Sequence, residues 1–158
     1  MVATVESQLA DRLDTLVATW FGCGRAATAP GTVGSLGAWP VHALLRHGPL
    51  WAHVLATVAI TAAGFWSSER YARRLGESDP QSVVIDEVAG TLIAMAMVRS
   101  RGFSGQLLAL GLFRILDITK PGLIGAVQES RSLSLGIMSD DLLAGACAGA
   151  LARWFTRS

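Results

Sequence analysis

Residues Ser82–Val98 read SVVIDEVAGTLIAMAMV. Asp86 and Glu87 are the only charged residues in this stretch, and apolar residues flank them on both sides. Polar and apolar residues do not alternate, so a half-buried strand is excluded. A run this uniformly apolar predicts a helix, taken over Gln81–Val98, sunk among other elements. Successive side chains on a helix point about 100° apart, so the two acids cannot share one narrow stripe. At least one carboxylate must face an interior or a wet cleft. An unpaired buried charge costs several kcal/mol, and one at a bilayer centre costs roughly 2.5–3.5 kcal/mol even on the lenient scale. Acids in such a place have a partner.

The rest of the chain also reads as helices with short breaks. Leu9, Leu13, Leu16, Val17 and Trp20 recur at helical spacing, with Asp11, Arg12 and Asp14 on other faces. This is an amphipathic first helix, suited to packing on a bundle or to lying flat on a membrane. Phe21–Gly34, with Gly22, Gly24, Pro30, Gly31 and Gly34, reads as a loop, and Ser35 opens a short helix through Leu36–Leu45. Leu50–Trp66 is nearly all apolar and continues into Ser67–Leu75. It is the best membrane-spanning candidate against a requirement of about 20 apolar residues. Phe103–Thr119, ended by Pro121, and Asp140–Phe155, with Ser139 as N-cap, complete the set. The expected fold is all-α: one multihelical bundle over residues 1–158, partly membrane-embedded or membrane-adherent.

Composition agrees. Of 158 residues, 51% are hydrophobic and 16% charged, against about 25% charged in an ordinary soluble domain. A net charge of +1 gives no drive toward nucleic acid. Cys23 and Cys147 have no metal-ligand spacing and read as two free thiols. The N-terminus carries Glu6, Asp11 and Asp14 and does not read as a secretory signal. His42, His47 and His53 form no catalytic pattern, and no covalent nucleophile is visible.

Two further pairs interrupt apolar stretches: Arg114 with Asp117, and Asp140 with Asp141. With Asp86 and Glu87 the three pairs carry −4, and adding Lys120 leaves −3. If these segments converge, a hard divalent cation would supply the missing positive charge, magnesium being the common choice beside phosphate. Plainer readings stand next to this one. Asp140–Asp141 follow Ser139 at an expected helix start, where acids favour the macrodipole. Arg114 and Asp117 sit at i, i+3 and can form a local ion pair. Asp86–Glu87 has no such account. The run APGTVGS, Ala29–Ser35, offers glycines for close ligand approach and the hydroxyls of Thr32 and Ser35 at an expected helix N-terminus. It is no P-loop, and taken alone a Pro-Gly turn followed by a Ser cap is the better account of it.

Four segments together carry a resemblance: GCGRAATAPGTVGSLGAWP (Gly22–Pro40), VVIDEVAG (Val83–Gly90), FRILDITKP (Phe113–Pro121) and LGIMSDDLLAG (Leu135–Gly145). In this order and spacing the chain resembles the phosphatidylglycerophosphatase A family over essentially its full length. The resemblance implies a magnesium-dependent hydrolase of the bacterial inner membrane, its site facing the cytoplasm. Its reaction would convert phosphatidylglycerophosphate, a membrane phospholipid, to phosphatidylglycerol and phosphate. Carried over by position, it implies Asp86, Glu87, Asp117 and Asp141 as catalytic residues. Thr32, Gly34, Ser35, Arg114 and Lys120 would bind substrate, and Asp86, Glu87, Asp140 and Asp141 would bind Mg2+. The chain departs from the family after Lys120, where Pro121–Gly122–Leu123 replaces a usual Pro-Trp-Pro. The rival readings are a small helical transporter or ion-binding bundle, a non-catalytic interaction protein, and a phosphatase of a soluble phosphomonoester.

Overall fold

The computed structural model describes residues 5–128 and 133–157, and no described residue lies in a strand. The helices are α1 (Val5–Ala18), α2 (Pro30–Gly37), α3 (Trp39–Leu45), α4 (Leu50–Leu75), α5 (Ile85–Met97), α6 (Phe103–Thr119), α7 (Leu123–Gln128) and α8 (Leu133–Phe155). The all-α expectation is met. The uniformly apolar segment is the centre of the bundle: α5 packs on α8 most extensively, and on α4, α2 and α6 around it.

Small residues permit the central contact. A Cβ on Gly145 of α8 would strike the Gly90 backbone of α5, and one on Gly149 would meet Ala94. Gly145 and Gly149, four apart, therefore let two backbones approach as in close helix pairs of apolar media. These contacts also fix direction. The start of α8 lies beside the start of α5, whereas Phe113, late in α6, packs on Gly90. Helix α4 runs antiparallel to α5, with Gly64 near Ile85 and His53 Nε2 3.2 Å from the Leu92 carbonyl. His53 is thus a buried structural residue, as a lone histidine on an apolar helix suggests. The starts of α5 and α8 and the ends of α4 and α6 gather at one end.

Helix α4 stops at Gly76, whose φ of 72° makes it a left-handed cap. There Gly76 N–H donates to Arg73 O and Glu77 N–H to Ala72 O, satisfying terminal carbonyls. Its outer face exposes Leu50, Trp51, Val54, Leu55 and Val58. Helices α4 and α8 are long and apolar enough to cross a membrane, and only 22% of the most apolar stretch of α4 is buried.

Three helix starts differ from expectation. Helix α2 begins at Pro30, five residues before Ser35. Proline suits the first helical position, and Gly31 and Gly34 share one face because that face meets α5. They serve close packing, not loop freedom. Helix α5 begins at Ile85, not Gln81, and α8 at Leu133, so Ser139 is no N-cap. Ile137 and Met138, buried against α4 and α5, hold that earlier stretch helical despite Gly136. The expected Leu36–Leu45 helix is broken at Ala38 into α2 and α3. Both cysteines are free.

Candidate active site

Three helices and one loop deliver acids to a cleft of about 300 Å3, and a fourth helix closes it. Helix α5 supplies Asp86 and Glu87, and α6 supplies Arg114 and Asp117, with Lys120 as its C-cap. Helix α8 supplies Asp140 and Asp141, and the start of α2 supplies Pro30 and Gly31. The loop after α4 adds Asp79 and Gln81, which no charge pattern within the apolar stretches singles out. Among the described residues six carboxylates therefore line the cleft with two cations, a formal excess of four negative charges.

Because α5 begins at Ile85, Asp86 and Glu87 occupy its first turn, where the helix dipole favours anions. Asp86 Oδ1 accepts the Glu87 backbone N–H at 3.0 Å. The helix-end account assigned above to Asp140–Asp141 thus belongs to Asp86–Glu87, while Asp140 and Asp141 lie inside α8. A helix end does not explain the gathering itself. One carboxylate oxygen each from Asp86, Glu87 and Asp141 lies within 4.8 Å of the others. All three acids are buried or nearly so, with Asp86 8% and Asp141 3% exposed.

The cations are already engaged. Arg114 Nη1 donates to Asp117 Oδ2 at 2.5 Å, the local i, i+3 pair, and also reaches Glu87 Oε1 at 3.7 Å. Lys120 Nζ donates to Asp140 Oδ2 at 2.5 Å. Burial alone would lower the Lys120 pKa, but Asp140 and the neighbouring carboxylates raise it, so it stays charged. Burial pushes the Asp86 carboxyl well above the ordinary range, reinforced by the charges of Glu87 and Asp141. Burial likewise raises Glu87, against the pull of Arg114. Among the described residues, Glu87 Oε2 and Asp140 Oδ1 are buried without a hydrogen-bond partner.

Three carboxyl groups crowded in low dielectric, with orphaned oxygens and no histidine or thiol among the described lining residues, form a donor set suited to a hard divalent cation. Gly31 is needed for the cleft's shape: a Cβ there would overlap the Glu87 carboxylate and crowd the Arg114 guanidinium.

Not all the expected binding residues arrive. Thr32 is exposed and does not line the cleft. Gly34 packs on Val84, and the buried Ser35 hydroxyl donates to Gly31 O at 2.9 Å. The glycine run reaches the cleft through Pro30 and Gly31 instead.

The sequence profile of the family described as "Phosphatidylglycerophosphatase A" matches residues 16–156. The chain is 36% identical over 152 residues to a Bacteroides thetaiotaomicron protein named "Putative phosphatidylinositol-3-phosphatase", covering 90% of this chain and 94% of that one. It is 32% identical over 130 residues to phosphatidylglycerophosphatase A of Escherichia coli, covering 82% of this chain and 76% of that one. To the Haemophilus influenzae protein of the same name it is 34% identical over 130 residues, covering 82% and 80%. No solved structure matches.

Proposed function

This chain belongs to the phosphatidylglycerophosphatase A family, and from that premise we propose that its acid cleft hydrolyses the terminal phosphate of phosphatidylglycerophosphate with magnesium. By family it is a phosphoric monoester hydrolase. The observation that carries the site assignment is the meeting of Asp86, Glu87 and Asp141 with an unbalanced negative charge.

Asp86, Asp141 and one oxygen of Glu87 would hold Mg2+, with Asp140 beside them. The metal, when bound, supplies charge neutralisation for a phosphate dianion that the acids alone would repel. Arg114 and Lys120 hold phosphate oxygens through charged N–H donors, and Asp117 aligns Arg114 through their short bond. Glu87, whose pKa burial raises, takes a proton from the attacking water on Oε2. The water oxygen bonds to phosphorus, the ester P–O bond breaks, the departing glycerol oxygen takes a proton from solvent to become a hydroxyl, and Glu87 returns its own proton to solvent. The products are phosphatidylglycerol and inorganic phosphate, a step of phospholipid biosynthesis.

The substrate's acyl chains stay in a bilayer, and the exposed apolar faces of α4 and α8 suit such a neighbour. We place the protein at the bacterial inner membrane with the cleft toward the cytoplasm. A second reading, phosphatidylinositol-3-phosphate as substrate, is favoured by the name of the Bacteroides relative that aligns with 90% of this chain and by the altered segment after Lys120. The test is phosphate release by the full-length protein in detergent micelles with Mg2+. Phosphatidylglycerophosphate, phosphatidylinositol-3-phosphate and a water-soluble phosphomonoester are supplied in parallel. Preference for the first supports the proposal, and preference for the second transfers it to the inositol lipid. Turnover of only the soluble ester, or turnover indifferent to chelation, refutes it.

A further inference from the structure

Helix α1 is turned inside out. At 100° per residue, Leu9, Leu13 and Leu16 form one stripe, while Asp11, Asp14 and Ala18 form the opposite one. In a helix packed on a water-soluble core the leucines would face inward. Here they face outward, at 58%, 46% and 44% exposure, and Asp14 is fully buried. The polar face is the docked one. Arg74 grips Asp14 with two bonds of 2.7 and 2.8 Å, and Arg70 adds a contact to Asp14 at 3.4 Å.

Beyond α1 the chain adopts a conformation that L-residues avoid. Trp20 and Phe21 both have positive φ, 45° and 55°, a left-handed arrangement costing about 1–2 kcal/mol per residue. The turn is held by Trp20 Nε1, which donates to Gly37 O at 3.0 Å, and it leaves the Phe21 ring 68% exposed. A strained turn that holds an aromatic ring outward, next to an outward leucine stripe, extends one apolar surface.

Beside that surface lies a basin of about 540 Å3, whose lining includes Arg12, Arg25, Arg74, Leu16 and Phe21. Its carboxylate, Asp11, is tied to Arg74 at 3.2 Å. Among the described residues Arg12 and Arg25 have no carboxylate partner. The basin shares no residue with the acid cleft, yet sits at the same end: the Ala18 carbonyl accepts the N–H of Val84, two residues before Asp86.

We propose that α1 and the Phe21 turn form a docking surface for an anionic phospholipid bilayer, with Leu9, Leu13, Leu16 and Phe21 among acyl chains and Arg12 and Arg25 on lipid phosphates. The apolar stripe flanked by cations is the arrangement of an in-plane interfacial helix, and the uncompensated arginines complement an anionic surface. The surface holds the cleft end of the bundle at headgroup level. It does not depend on which headgroup the acids hydrolyse.

The test uses the full-length protein in lipid nanodiscs, with Cys23 and Cys147 replaced by serine. A polarity-sensitive fluorophore is placed at Leu13→Cys or Leu9→Cys, and at Glu77→Cys as an exposed control. Brominated acyl chains should cause about a twofold or greater fluorescence loss at positions 9 and 13 and none at 77. The loss should be larger in phosphatidylglycerol discs than in phosphatidylcholine discs, and R12E/R25E should remove that difference. Solvent-like signals at 9 and 13 overturn the proposal. So does a disulfide between two Leu13→Cys chains, which would make the stripe an interface between copies. Quenching indifferent to lipid charge overturns the role of the basin.

Discussion

Two groups of buried carboxylates stand at the same end of this bundle and differ in one respect. Asp14 is fully buried and completely answered, by Arg74 in two bonds and by Arg70 beside it. Asp86, Glu87 and Asp141 are buried together, with Arg114 at 3.7 Å from Glu87 as their closest cation among the described residues. The first group is a strut between α1 and α4. The second is held in a repulsive arrangement that a structural role does not require, because apolar residues of similar volume would fold at least as well. Burial alone does not distinguish the two. The presence or absence of a matching cation within the protein does.

The sharpest way to break this contrast is D86N or D141N. Either should lower turnover on the order of 10³-fold by removing a charge that positions the divalent cation and phosphate, while helical content is retained and thermal stability is equal or higher. Near-normal turnover would reduce the cluster to an accident of packing. Next is Gly31→Ala, whose methyl would displace the Glu87 carboxylate and Arg114. A shift of about 1 Å at such a site costs roughly 10²-fold in rate, and KM and kcat measured in micelles would register it. D14N addresses the other half of the contrast. It should cost about 2 kcal/mol of unfolding free energy, the scale of hydrogen bonds to a charged group, with turnover per folded molecule unchanged. A loss of activity without loss of stability would move Asp14 out of its structural role.

The smallest expected effect is in pH dependence. Asp86 and Glu87 have native pKa values raised above the unfolded ones, so the native state binds the extra protons. Stability of the metal-free protein should be greatest below the ordinary carboxylate range. It should fall as pH rises through that range toward the native values. Magnesium should offset this loss, since it replaces the departing protons. A melting temperature flat with pH, with and without magnesium, would mean the carboxylates are answered by some other group.

Much of this was legible along the chain. The uniformly apolar run around Asp86–Glu87 set the helical class and the central position of α5. Three acid-bearing segments predicted a shortage of positive charge, and among the described residues they meet at one cleft. The misplacements have a common origin. Gly31 and Gly34 read along the chain as loop glycines, but they sit in a helix and admit a neighbouring backbone or side chain. Ser139 looked like a cap only because the preceding residues form a weak helix in isolation, which packing on α4 and α5 sustains.

The sequence by itself determined the composition of the interior and the identity of the charges that interrupt it, since hydrophobic periodicity and charge are local properties of the chain. Tertiary structure alone decided which charges answer each other. Asp14 meets Arg74 across 60 residues, and Asp86 meets Asp141 across 55. It also decided that α1 turns its charged face inward. Pairing energies fall steeply with distance in three dimensions, and separation along the chain does not reveal that distance.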